Sequence, residues 1–143
     1  MSDTQPLRGF ATLNLWAADL EAAKAWYTEF LGIAPYFQRP ETGPPAYIEF
    51  RLGDYQHELG IIDSRYAPPG TTTGPAGVFM HWHVDDVPAT LDRLLSMGAT
   101  QIEPPQDRGA GFITASVVDP FGNILGIMYN PHYVEILESA KKA

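Results

Sequence analysis

The sequence contains no cysteine. That absence removes thiol nucleophiles, disulfides, zinc–thiolate centres and iron–sulfur clusters at once. Basic residues are also scarce: 9 Lys and Arg stand against 17 Asp and Glu, a net charge of −8. A surface of that sign repels phosphate backbones and anionic bilayers, so neither nucleic acid nor a membrane is expected as a partner. No apolar run approaches the roughly 18 residues that a transmembrane helix requires. Met1 to Arg8 lacks the apolar core of a secretory leader, and a cytoplasmic protein is the expectation. There is no Gly-x-Ser-x-Gly elbow, so hydrolase chemistry has no visible nucleophile. The Gly-x-Gly of Arg108-Gly109-Ala110-Gly111-Phe112 has no third glycine and no strand-before, helix-after setting; it reads as a turn, not a phosphate loop.

What is present is an ordinary globular balance, with 45% hydrophobic and 18% charged residues in 143. A chain of this length forms one domain with a real core, taken here as residues 1–143. Thirteen Gly and 13 Pro predict many turns and a sheet-rich fold. The informative feature is a weak internal repeat. Phe10 to Ala17 reads as a strand, and Asp19 to Leu31 as a helix capped by Asp19 and closed by Gly32. Leu20, Ala23, Tyr27, Phe30 and Leu31 share one face of it. Val78 to Val84 and the helix Asp86 to Met97, with Pro88 in its first turn, repeat the pattern; the cap residues Asp19 and Asp86 are 67 positions apart. Three strand candidates follow each helix: Ala34–Arg39, Ala46–Leu52 and Gln56–Asp63, then Thr100–Glu103, Phe112–Val118 and Asn123–Tyr129. The predicted architecture is therefore α+β, two tandem βαβββ modules at 9–63 and 78–130. A linker at 64–77 joins them, and a tail at 131–143 holds a short helix whose end, Lys141 to Ala143, is expected to fray. One helix covers only one face of each sheet, so the other face forms a cup that a second module or a ligand must cover.

At this point the chain resembles the vicinal oxygen chelate superfamily of glyoxalase I, bleomycin-resistance proteins and extradiol dioxygenases. The resemblance rests on Trp16-Ala17-Ala18-Asp19-Leu20-Glu21-Ala22-Ala23-Lys24-Ala25-Trp26-Tyr27 with Phe30-Leu31-Gly32, on His83-Val84-Asp85-Asp86-Val87 with Gly98-Ala99, and on Val118-Asp119-Pro120-Phe121-Gly122-Asn123. It covers roughly residues 9 to 130. In metal-dependent members four inward residues bind the ion, and the resemblance places those positions on Thr12, Glu58, Phe79 and Gly126. Phe79 and Gly126 offer no donor atom, whereas a divalent ion needs several oxygen or nitrogen ligands. The resemblance thus implies the metal-free branch, with no cofactor. It also implies a homodimer, which fits the edges and apolar surface that half-open sheets leave.

Strand alternation then lines the cup. If Thr12 faces inward, so do Phe10, Asn14 and Trp16, together with Phe79, His81 and His83, with Ile124, Gly126 and Met128, and with Glu58, Gly60 and Ile62. The candidate ligand-binding set is Asn14, Trp16, Glu58, Ile62, Phe79, His81, His83 and Met128, apolar walls with a few polar points. His81 and His83, with Glu58, are also the candidates for acid–base work or for a non-standard metal site, since His titrates near neutral pH. The plain alternative is two strand histidines tied to their neighbours, and a Glu58 paired with Arg51. Trp16 either stacks a flat ligand or plugs the cup, and Trp26 reads as helix surface or interface. Three functions remain open on these residues. One is a metal-independent binder of a small, aromatic or amphipathic molecule. Another is a lyase, isomerase or oxygenase using His81, His83 and Glu58. The last is a regulatory module whose cup is filled by its own side chains.

Overall fold

Asp19 and Asp86 accept main-chain N–H groups three residues on, from Ala22 at 3.1 Å and from Ala89 at 3.0 Å, and so start α1 (Leu20–Leu31) and α2 (Val87–Ser96). Gly32 closes α1 in the left-handed conformation, its N–H on the Thr28 carbonyl. The computed structural model describes residues 5–142; Met1 to Thr4 and Ala143, and with them part of the leader and tail readings, lie outside.

Strands β1 (Thr12–Ala17), β2 (Phe37–Arg39), β3 (Tyr47–Leu52) and β4 (His57–Asp63) form one sheet in the order β1-β4-β3-β2. Strands β5 (His81–His83), β6 (Thr100–Gly109), β7 (Phe112–Val118) and β8 (Ile124–Tyr129) form the other in the order β5-β8-β7-β6. In each sheet the first strand runs parallel to the last, β1 to β4 and β5 to β8, and the remaining pairs are antiparallel. This is the α+β tandem-module fold, with two separate sheets.

Several boundaries differ from expectation, among them that of β2, which begins at Phe37 rather than Ala34. β1 and β5 start later, because a strand persists only where a ladder partner continues; Phe10 is fully exposed and Phe79 is 45% exposed, both outside the strands. β6 continues through Pro104-Pro105 to Gly109. It is an edge strand, where proline lacks a ladder bond to lose, and register shifts absorb the irregularity. The tail forms α3 (Pro131–Lys142), a full 12-residue helix. Gly109, Ala110 and Gly111, all at positive φ, turn β6 into β7 as the turn reading requires.

Alternation sends Leu15, Ile48, Phe50, Leu59 and Ile61 of the first sheet, and Val117, Leu125 and Ile127 of the second, into one core under the helices. The helices meet each other reciprocally. The Trp26 indole N–H of α1 donates to the Met97 carbonyl at the end of α2 (2.6 Å), and Arg93 of α2 donates to the Glu29 and Phe30 carbonyls at the end of α1 (both 2.8 Å). Trp26 and Arg93 stand 67 positions apart, as do Phe30 and Met97, so each module closes the helix of its twin.

Candidate functional site

The strand registers set the two modules in correspondence: Asn14 pairs with Gly60 and Trp16 with Ile62, as His81 pairs with Gly126 and His83 with Met128. Each glycine makes room for the side chain beside it. A Cβ on Gly60 would lie 2.3 Å from Asn14 Oδ1, and one on Gly126 would lie 2.7 Å from His81 Cδ2.

A cleft of about 510 Å³ runs along β5. It is lined by His81 to Val84 of β5, by Asp54 and His57 at the β3–β4 turn, and by Phe30, Arg93 and Tyr133. His83 is held on every side. Its Nδ1 accepts the Asn130 N–H at 3.1 Å, so the neutral ring carries its proton on Nε2, and the ring stacks on Tyr133 at 4.6 Å. Tyr133 in turn donates to Asp54 Oδ2 at 2.9 Å. Burial and that carboxylate push the Tyr133 hydroxyl up to about 12. His81 is exposed, lies parallel to Phe79 at 6.2 Å, and makes no side-chain hydrogen bond among the described residues. Trp82, whose side chain alternates with those of the two histidines, packs on Phe30 of α1 at 6.0 Å, and both rings line the cleft.

The equivalent groove along β1 measures about 390 Å³ and is lined by Leu13 to Trp16, the segment around Thr72 to Val78, and Asn123. Here Asn123 sits on the strand edge: its Oδ1 accepts the Trp16 N–H at 3.1 Å and its Nδ2 donates to the Trp16 carbonyl at 2.9 Å.

The remaining candidates lie elsewhere. On the open face of the first sheet Glu58 accepts from the Thr12 hydroxyl at 3.0 Å and from Arg51 at 3.4 Å, the partnership with Arg51 expected from the sequence. Beside it the Tyr47 hydroxyl donates to Glu49. Burial, then the Glu58 charge, raises both Tyr47 and Glu49, with Arg51 pulling Glu49 partly back. The structure therefore gathers His81, His83 and Met128 in the β5 cleft and Asn14 and Trp16 in the twin groove, while Glu58, Ile62 and Phe79 line neither. Trp26 is an interface residue, packed among Tyr27, Phe30 and Phe121.

The positions where relatives of this fold would hold an ion do not fit one. Phe79 has no donor, and the space beside Gly126 belongs to the His81 ring. Glu58 and Thr12 are spent on each other. Among the described residues no three His, Asp or Glu side chains come together closely enough to share an ion.

Sequence reasoning missed Asp54, His57, Arg93 and Tyr133, which complete the cleft. They belong to a turn, a helix and the tail, outside any strand alternation. Asn123 carried a signal, since an Asn after the Asp-Pro-x-Gly turn was part of the quoted motif, but not its role on a strand edge.

A family model described as the Glyoxalase/Bleomycin resistance protein/Dioxygenase superfamily matches residues 9–127. No curated protein matches the sequence. Among solved structures, a glyoxalase-related enzyme from Fulvimarina pelagi is 25% identical, covering 87% of this chain and 90% of its own, with a TM-score of 0.69. A Glyoxalase/bleomycin resistance protein/dioxygenase superfamily member from Sphaerobacter thermophilus is 17% identical over 87% of this chain and 98% of its own, with a TM-score of 0.70. A lactoylglutathione lyase from Agrobacterium tumefaciens is 21% identical over 88% and 96%, with a TM-score of 0.62.

Proposed function

Because the chain belongs to the glyoxalase/bleomycin resistance protein/dioxygenase superfamily, we propose that it binds a small aromatic or amphipathic molecule in the cleft along β5, without a metal ion. The observation that carries this reading is the make-up of the cleft. About 510 Å³ is the size of a small-molecule site, and the walls are Phe30, Trp82, Met128 and Tyr133 with His81, Arg93 and Asp54 as separate polar points. The donor-poor residues at the family's ion positions support the metal-free part. Binding of this kind requires no nucleophile, and the chain offers none by motif.

A homodimer belongs to the same reading, supported by the open edges of β2 and β6 and by exposed Tyr36 and Ile102 near them. So does a cytoplasmic setting. An enzymatic reading rests on His81, a cleft histidine whose ring makes no hydrogen bond among the described residues; it requires that His81→Gln abolish a turnover the wild type performs.

The test is a thermal-shift and tryptophan-fluorescence screen of aromatic and amphipathic compounds, with and without EDTA. A ligand at a hundred times its Kd stabilises by about 2.7 kcal/mol. The expected hits persist in EDTA and quench Trp82. A screen with no stabilising compound, or with hits only when a divalent cation is added, overturns the reading.

A further inference from the structure

The two grooves are equivalent by register but not in their contents, and the difference identifies the ligand's recognition group. In β5 the Gly126 N–H donates to the Met80 carbonyl and the Val84 N–H to the Met128 carbonyl, both at 2.8 Å. Alternation then turns the main-chain groups of Met80, Trp82 and Val84 toward β8 and those of His81 and His83 outward, into the cleft. The same pattern in β1 turns Trp16 outward. There both of its polar groups are met by one carboxamide, that of Asn123. Asn123 closes the β7–β8 turn, its carbonyl accepting the Asp119 N–H at 2.8 Å. In the twin turn the closing pair is Leu52 with His57. His57 lies against Tyr55 at 5.7 Å, and among the described residues no side chain bonds the His83 main chain.

We propose that the β5 cleft recognises its ligand through an amide, whose carbonyl accepts the His83 N–H and whose adjacent N–H donates to the His83 carbonyl, as Asn123 does at Trp16. The inference rests on the binding function proposed above and names the ligand class: primary carboxamides, lactams and fused pyridone-type rings, which present N–H and C=O side by side. The aromatic part of such a ring lies along Trp82 and Phe30. A small molecule fits better than a peptide strand. β5 turns only His81 and His83 outward before α2 begins at Val87, and Asp54 of the β3–β4 turn lines the same cleft, bonded to Tyr133. An edge group left without a protein partner gains from the ligand that meets it.

The experiment compares 2-quinolone with coumarin, the same shape with ring oxygen in place of N–H, by 1H–15N correlation spectra of the full-length labelled protein. The expected result is a shift of the His83 amide with 2-quinolone, little change at Trp16, and binding of coumarin roughly tenfold weaker for the loss of one donor. Equal affinity of the two compounds, with cleft resonances moving, overturns the amide inference while leaving the binding function intact. A response at Trp16 rather than His83, or no response in the cleft, also overturns it. Whether the binding function stands is then decided by the screen above, which does not depend on either compound.

Discussion

The Tyr27 hydroxyl, inside the core on α1, donates to the Asp119 carboxylate on the β7–β8 turn and so ties one module to the other. The same carboxylate gathers the Phe121 N–H at 2.9 Å, the Asn123 N–H at 2.8 Å and Asn123 Nδ2 at 3.0 Å. Removing the hydroxyl in Tyr27→Phe leaves a buried carboxylate oxygen short of a donor, at a cost of about 1–3 kcal/mol in urea denaturation.

That hydroxyl also sets an alkaline limit. Burial first, and then Asp119, raises Tyr27 well above the ordinary tyrosine value. An unfolded tyrosine ionises near pH 10 by the usual figure of about 10. Above that pH the unfolded chain has released a proton that the folded chain still holds, so rising pH favours unfolding. Stability contributed by Tyr27 is complete below about pH 10 and declines above it. Denaturation midpoints taken from neutral pH to about pH 11 are expected to fall in the wild type and to fall less steeply in Tyr27→Phe.

The two strand glycines differ in what surrounds them, and alanine distinguishes them. At Gly60 the added carbon meets only side-chain atoms, of Asn14 and Tyr47. At Gly126 it lies 2.7 Å from the Met80 carbonyl oxygen as well as from His81, and backbone in a ladder does not swing away. Gly126→Ala is expected to lose about 2–3 kcal/mol and Gly60→Ala about 1 kcal/mol less. A reversed order in chemical denaturation contradicts the packing described.

His81 and His83 separate by stability. His83→Ala removes the acceptor for the Asn130 N–H and the stacking partner of Tyr133, a loss of about 1–3 kcal/mol. His81→Gln removes no side-chain hydrogen bond among the described residues and is expected to change the melting temperature little, while altering ligand affinity in the thermal-shift screen. Equal effects on stability would show that the pair is structural throughout.

Asn123→Ala strips the Trp16 N–H and carbonyl of their partners. A destabilisation of about 2 kcal/mol is expected, together with faster hydrogen exchange at the Trp16 amide than in the wild type.

Caps and patterns that act within a few residues were legible in the sequence. Asp19, Asp86 and Gly32 do what their positions imply, and alternation in β1, β4 and β8 places core residues on the correct face. Reach was less legible. Val78 and Phe79 look like strand, yet no partner extends to them, because a ladder is a property of two segments. The Pro-Pro of β6 looks like a break, yet an edge strand tolerates it. The site suffered for a related reason. Alternation tells which side chains share a face, but not how two sheets sit against each other. The residues expected to share one lining divide between two grooves, and Glu58 lies on an open face with Arg51.

The reciprocal hold of Trp26 on Met97 and of Arg93 on Glu29 and Phe30 has a consequence for the whole chain. Neither half can be harvested alone with its helix end intact, since the donor that completes it is encoded in the other. A protease cut between residues 67 and 77 would sever the connection without touching these bonds or the shared core, and the two fragments would stay together as one particle, separating only when both unfold.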